Sequence, residues 1–228
     1  MWIKVCGVTD PGNAAAVADC GVDALGLNFY PKSKRAIDQT TARAIIDRVG
    51  RAAACVGLFV NEPAGAAIET ARRLGLRSVQ LHADDPRSVI ESLRAVRSRD
   101  LIVTLAVPLT SDRDVLDLLE FGRRRRVPFR LLLDAAVPGE HGGTGQRCDW
   151  AAASRVQRTL DDPFGLLLAG GLTPGNVGEA VRAVQPSGVD VASGVESSPG
   201  TKDIDAVRRF VAAARAAASR RSETADVD

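Results

Sequence analysis

Eight short apolar runs, separated by longer segments with helical spacing, constrain the fold of this chain more than any other feature. The runs are mostly aliphatic and uninterrupted, as is typical of parallel strands that are covered on both faces. Eight is the number of strands that closes a barrel, whereas an open doubly wound sheet usually has fewer. The pattern therefore predicts an α/β fold, a single-domain (β/α)8 TIM barrel. The predicted strands are Trp2–Val5, Ala24–Asn28, Cys55–Val60, Ser78–Leu81, Leu101–Val107, Arg130–Leu133, Gly165–Leu168 and Val189–Ala192.

Amphipathic segments between the apolar runs predict the helices. Asp10, Asp85 and Thr173 each precede a proline, which is typical of a helix start. No linker or change in composition divides the chain. We therefore expect one domain over residues 1–218 and a polar, disordered tail over residues 219–228. The predicted helices are Pro11–Cys20, Thr40–Arg48, Pro63–Leu74, Arg87–Val96, Asp112–Phe121, Pro174–Val184 and Asp203–Ala218.

Composition excludes several classes of protein. The net charge of +2 is too small to favour a nucleic acid or an anionic membrane as partner. The first residues contain no apolar signal-peptide core, and no apolar stretch is long enough to span a membrane. The four cysteines are far apart, so we expect no disulfide framework and no zinc site, and a cytoplasmic location. With only two histidines in the chain, we also expect no multi-histidine metal centre.

Two reactive side chains follow predicted strands at the barrel end where such enzymes carry their active sites. Cys6 follows the first strand, and a thiol whose pKa is lowered by nearby cations can act as base or nucleophile. Asp134 follows the sixth strand, and burial can keep its carboxyl group protonated as a general acid. The alternatives are a buried, inert cysteine and an aspartate that caps backbone NH groups.

Glycine-rich turns at the same end favour a phosphorylated substrate. Gly170-Gly171 and Ser193-Gly194 follow strands seven and eight, where barrels commonly bind phosphate, and Gly142, Gly143 and Gly145 lie in the loop after strand six. The loop after strand two carries Lys32, Lys34 and Arg35. This cluster is either a solvated basic loop or, through Arg35, a carboxylate ligand. His82, after strand four, is either a polar group of the site or a structural histidine.

Several ordered motifs together resemble the phosphoribosylanthranilate isomerase family over nearly the whole chain. The opening motif is Lys4-Val5-Cys6-Gly7-Val8-Thr9, and the fourth-strand motif is Gln80-Leu81-His82. Further motifs are GLNFYPKSKR at the second strand and LLLD ending at Asp134. The remaining signatures are HGGTG, AGGLTPGNV and VDVASGVESSPGTKD.

The resemblance implies an Amadori rearrangement in tryptophan biosynthesis, in which an aminoaldose becomes an aminoketose without a cofactor. On this interpretation Asp134 protonates the ring oxygen and Cys6 removes the C2′ proton. Arg35 holds the anthranilate carboxylate, Asp190 positions the substrate, and the glycine pairs bind the phosphate. The partner is then a small phosphosugar, and the chain is a monomer or homodimer.

The chain departs from the family pattern at a few positions and leaves alternatives open. These departures are Lys34, Ala36, Ala83, Gln146 and Cys148. They leave open a related isomerase that acts on a different phosphoribosyl amine. A barrel that binds a phosphosugar without turning it over is a further alternative. A dinucleotide-binding oxidoreductase is disfavoured, because no G-x-G-x-x-G follows the first strand.

Overall fold

Eight parallel strands close into a barrel in the structure, a computed structural model that describes residues 1–95, 101–135, 147–160 and 165–225. Each strand pairs in parallel with the next, and β8 pairs with β1 to complete the ring. This confirms the predicted (β/α)8 barrel. The strands are β1 Trp2–Cys6, β2 Ala24–Asn28, β3 Ala54–Val60, β4 Ser78–His82, β5 Ile102–Leu109, β6 Arg130–Ala135, β7 Leu166–Leu168 and β8 Gly188–Val191.

A helix follows each barrel strand within the described ranges. A 3₁₀ turn (Ser193–Val195) and a short antiparallel hairpin of β9 (Glu196–Ser198) and β10 (Thr201–Lys202) lie between β8 and the last helix. None of the described helices is both long and apolar enough to cross a membrane. The helices are α1 Pro11–Ala18, α2 Gln39–Val49, α3 Ala64–Leu74, α4 Pro86–Ala95, α5 Asp112–Arg125, α6 Trp150–Thr159, α7 Val177–Val184 and α8 Ile204–Ala225.

The predicted helices differ most from the structure at α6, α7 and α8. The sequence pattern does not predict α6, because alanines occupy both its buried and its exposed face and obscure the apolar period. Helix α7 begins at Val177 rather than at Pro174, since residues 174–176 form a turn in which Asn176 accepts a hydrogen bond from the Thr173 amide. By contrast, Asp10 and Asp85 accept backbone hydrogen bonds at the starts of α1 and α4, as predicted.

The C-terminal helix α8 extends past residue 218, where the sequence places the end of the barrel domain. The helix continues to Ala225, into the segment for which we predict a disordered tail. Arginine and alanine in this segment are good helix formers, which accounts for the longer helix. The division at residue 218 stays a prediction.

Strand periodicity decides which side chains point into the barrel. In β6, Leu131 and Leu133 pack toward the helices, whereas Leu132 belongs to a small apolar cluster inside the barrel. Asp134 lies two residues beyond Leu132 on the same face. The same alternation places Lys4 and Cys6 of β1 inside, since Ile3 and Val5 belong to the outer core. Reactive side chains therefore collect above the apolar floor of the barrel.

Candidate active site

One cavity at the carboxyl ends of the strands brings together most of the predicted site residues. Its volume is about 670 Å³, counted with the open solvent at its mouth. Gly142, Gly143 and Gly145 fall outside the described residues, so their place is not known. The predicted residues that line the cavity are Cys6, Arg35, His82, Asp134, Gly170, Gly171, Asp190, Ser193 and Gly194.

Cys6 ends β1 at the floor of this cavity and is buried. The neighbouring strand makes room for it with a glycine, because a Cβ atom at Gly26 would lie 2.6 Å from the Cys6 sulfur. Burial raises the pKa of the Cys6 thiol above its usual value, although the Lys4 and Lys202 ammonium groups oppose this shift. The nearby cations therefore do not lower the thiol pKa below its usual value, as a reactive cysteine would require, because the effect of desolvation is larger than theirs.

Lys4 forms a buried ion pair inside the barrel, next to Cys6 on β1. Its ammonium group donates to Asp190 Oδ1 at 2.9 Å, and the side chain is only 1% exposed. Burial alone lowers the pKa of Lys4, but the Asp190 carboxylate and then the Cys6 thiol raise it above its ordinary value. Lys4 is therefore charged in the folded protein. Asp190, predicted to position the substrate, also holds this cation beside Cys6.

Asp134 ends the buried part of β6 and has the electrostatic character of a proton donor. Burial raises the pKa of its carboxyl group to about 6, against a backbone hydrogen bond from the Ala135 amide to Oδ1 at 2.8 Å. The Asp190 carboxylate raises the same pKa, and Lys4 lowers it. A carboxyl group with this pKa is partly protonated near neutral pH, which is the property that a general acid needs.

Arg35 is not part of a solvated basic loop. Its guanidinium forms a bidentate pair with Glu196, with Nε to Oε1 at 2.8 Å and a terminal nitrogen to Oε2 at 2.7 Å. Lys32 and Lys34 are exposed. The arginine fork is thus bound to a carboxylate of the chain itself at the wall of the cavity, and its role as a ligand of a substrate carboxylate stays a prediction.

Glu196 and Lys202 are buried charged residues next to the cavity that sequence reasoning missed. Lys202 Nζ, which is fully buried, donates to Glu196 Oε1 at 2.6 Å and to the carbonyl oxygen of Cys6 at 2.6 Å. Its pKa is lowered by burial, while the two cations hold the pKa of Glu196 below its usual value against burial. Both residues lie within the motif after strand eight, but the motif alone does not show what they contact.

The glycine turns after β7 and β8 lie against each other. A Cβ atom at Gly194 would lie 1.9 Å from the Leu172 carbonyl oxygen, and one at Gly170 would lie 2.6 Å from the Ala135 amide nitrogen. Gly170 also has a φ of 82°, which favours glycine. Gly194 is therefore required for the close packing of the two turns, and Gly170 for the contact between the turn after β7 and the end of β6. The glycines in this wall of the cavity allow an anion to approach the backbone closely.

Gln80 is a further polar residue that the sequence analysis does not single out for the site. Its side chain lines the cavity at the level of the barrel floor and is 4% exposed. Within the described part of the chain, no donor is hydrogen-bonded to its Oε1 atom. His82, two residues further along β4, is buried and lines the same cavity. In the same part of the chain, no group of three or more His, Cys, Asp or Glu side chains is arranged to hold a metal ion.

Comparison with known proteins identifies the family. The family model described as N-(5′phosphoribosyl)anthranilate (PRA) isomerase matches residues 3–213. The N-(5′-phosphoribosyl)anthranilate isomerase of Myxococcus xanthus is 46% identical over 213 residues, which cover 93% of this chain and 95% of the relative.

Solved structures give the same result. The phosphoribosylanthranilate isomerase of Thermotoga maritima is 37% identical with a TM-score of 0.81, covering 95% of this chain and 99% of that chain. A structure in complex with reduced 1-(o-carboxyphenylamino)-1-deoxyribulose 5-phosphate is 35% identical with a TM-score of 0.78, over the same shares of the two chains. This chain therefore belongs to the N-(5′-phosphoribosyl)anthranilate isomerase family.

Proposed function

We propose that this protein is an N-(5′-phosphoribosyl)anthranilate isomerase of tryptophan biosynthesis. The observation that carries the proposal is the placement of Cys6 and Asp134 in one cavity, which Arg35 and the two glycine turns also line. An acid and a base over one small molecule suit an isomerisation by proton transfer. The arginine and the glycine turns match the two anionic ends of the substrate, a carboxylate and a phosphate.

Ring opening is the step that Asp134 serves. Its carboxyl group donates a proton to the ring oxygen while the bond from that oxygen to C1′ breaks. The lone pair of the anthranilate nitrogen forms the C1′=N bond, giving an open-chain iminium ion. The pKa of about 6 supports this role, because the carboxyl group can be protonated before the step and ionised after it.

Proton removal from C2′ is the step that Cys6 serves. The thiolate takes the proton, and the C–H electron pair forms the C1′=C2′ bond of an enolamine while the iminium nitrogen regains its lone pair. The enolamine then gains a proton at C1′ and loses its C2′ hydroxyl proton, which leaves the ketone. Because the substrate nitrogen accepts and returns the electron pair, these proton transfers need no cofactor.

The remaining residues bind and orient the substrate. Arg35 takes the anthranilate carboxylate in place of, or beside, Glu196, since a guanidinium has donors beyond those used in one bidentate pair. Gly170, Gly171, Ser193 and Gly194 bind the phosphate at the ends of β7 and β8. Asp190 accepts hydrogen bonds from ribose hydroxyls.

The chain's departures from the family pattern do not favour a different amine. Lys34 and Ala36 are exposed and do not line the cavity, and neither does Ala83. Cys148 is buried and does not line the cavity. Its sulfur lies 3.9 Å from the backbone carbonyl oxygen of Asp134. Gln146 lies outside the described residues.

The four cysteines are free thiols, which supports the proposed cytoplasmic location.

The activity itself is tested by following the fluorescence of freshly made phosphoribosylanthranilate with the purified protein. We expect the signal to fall faster than spontaneous hydrolysis, and at the same rate with and without a chelator. No turnover by a folded protein would contradict the proposal. In that case, fluorescence quenching on mixing would indicate a barrel that binds without catalysis, and its absence would indicate a different phosphoribosyl amine.

A further inference from the structure

The base of the proposed mechanism lies among charged side chains whose effect on it cannot be seen from the sequence motifs alone. A buried thiol is a poor base, because desolvation disfavours its thiolate form. Charged groups from four different elements, however, interact with the Cys6 thiol. These groups are Lys4 on β1, Arg35 after β2, Asp190 on β8 and Lys202 on β10. Asp134 on β6 and His82 on β4 line the same cavity as Cys6.

Among these cations, Lys4 is fixed next to Cys6 both by its position on β1 and by its ion pair. It lies two residues before Cys6 on the same strand, so both side chains point into the barrel. Its ammonium group contacts Asp190 at 2.9 Å and also interacts with the Cys6 thiol. With 1% of its side chain exposed, water screens its charge very little. Lys202, by contrast, is already engaged by Glu196 and by two carbonyl oxygens.

The Lys4 charge is shared between two anionic sites. Paired β1 and β8 place Lys4 directly opposite Asp190 in the sheet register, so the ammonium group and the carboxylate lie next to each other inside the barrel. Asp190 also opposes ionisation of Cys6 by like-charge repulsion. When the Asp190 carboxylate neutralises the Lys4 ammonium group, Lys4 stabilises a thiolate on Cys6 less strongly.

We propose that Lys4 is a positioning residue that acts through Cys6, stabilising its thiolate form against the cost of burial, and that Asp190 sets how much of the Lys4 charge Cys6 receives. The inference rests on the proposed function for the role of Cys6, but the charge coupling itself is a property of the free protein. It can therefore be tested without substrate.

The test measures the rate at which iodoacetamide alkylates Cys6 as a function of pH, with the modified peptide identified by mass spectrometry. For Lys4→Met we expect the rate at neutral pH to fall at least about tenfold, with the pH midpoint raised by about one unit or more. For Asp190→Asn we expect a faster reaction and a lower midpoint. Cys20 is the internal control, since it lies outside the cavity and its rate should be the same in every variant.

The double variant Lys4→Met/Asp190→Asn removes both charges together and keeps the buried site neutral. We expect it to show less acceleration than Asp190→Asn, because the loss of Asp190 repulsion remains in the double variant but the Lys4 charge does not. If Lys4→Met does not fold, the comparison of the double variant with Asp190→Asn gives the same information. An unchanged rate and midpoint in Lys4→Met, or equal acceleration by Asp190→Asn with and without Lys4, would overturn the proposal. Alkylation uses no phosphoribosylanthranilate, so absence of isomerase activity would not affect the result.

Discussion

At the scale of single residues, stability and chemistry make opposite demands on Asp134. A carboxyl group that ionises in a buried site costs folding free energy, because the unfolded chain ionises it in water. The same burial supplies the raised pKa that a general acid requires. The residue is therefore expected to lower the stability of the protein at neutral pH while serving catalysis.

Replacing Asp134 by asparagine should stabilise the protein in a pH-dependent way. The folded pKa of about 6 lies above the value in the unfolded chain, so the native state binds the proton more tightly and loses stability as the pH rises from about 4 to about 6. A shift of roughly two units corresponds to about 3 kcal/mol. Urea unfolding of both proteins should show little difference near pH 4 and an advantage of the variant approaching this size above pH 6. A constant difference across this range would contradict the assignment.

Lys4, Glu196 and Lys202 show the limit of what could be predicted at this scale. The alternation of Ile3, Lys4 and Val5 indicates that Lys4 points into the barrel, but not that it is buried. A buried lysine requires a partner, and Lys4 finds its partner 186 residues away at Asp190. Likewise Arg35 meets Glu196 across 161 residues. Contacts over such separations depend on barrel closure and leave no local pattern in the sequence.

At the scale of elements, the β9–β10 hairpin ties the loop after β2 to the loop after β8. Glu196 of β9 accepts hydrogen bonds from Arg35 and from Lys202, and Lys202 in turn reaches the end of β1. The hairpin has only short strands, so its stability comes from this ionic cluster rather than from its ladder.

Replacing Glu196 by alanine should therefore lower the free energy of unfolding substantially. It leaves the fully buried Lys202 without its carboxylate, and breaking a buried ion pair in this way destabilises proteins by about 3 kcal/mol or more. Chemical denaturation measures the loss. Glu69→Ala is the matched control, because its pair with Arg73 is exposed and contributes almost nothing. Equal effects of the two substitutions would contradict the role given to the hairpin.

The two glycine turns form a second element whose packing can be tested. A methyl group at Gly194 would overlap the Leu172 carbonyl oxygen, so Gly194→Ala should force the turns after β7 and β8 apart. We expect a large increase in the KM for the phosphorylated substrate and a lower melting temperature. Gly175→Ala is the control in a neighbouring turn, because the nearest atom to its added Cβ lies 3.8 Å away. A Gly194→Ala protein with normal KM would show that the close packing is not needed for phosphate binding.

At the scale of the whole molecule, the fold was predictable because the barrel repeats one simple pattern eight times. Boundaries shifted by a few residues, as in β5, which ends at Leu109 rather than Val107. Barrel topology also predicted the location of the site at the carboxyl ends of the strands, where β1 and β6 carry Cys6 and Asp134. The β9–β10 hairpin was not predicted, because its strands are too short to produce a period.

The central claim is that Cys6 and Asp134 are the base and the acid of one reaction. The most direct test is the kcat for phosphoribosylanthranilate of Cys6→Ser and Asp134→Asn, with Cys20→Ser as a control outside the cavity. We predict that each site variant loses several orders of magnitude in kcat while remaining folded, since each removes a proton transfer that the reaction requires. The control should keep the activity of the unmodified protein. Near-normal kcat in either site variant would show that the acid and base are misassigned.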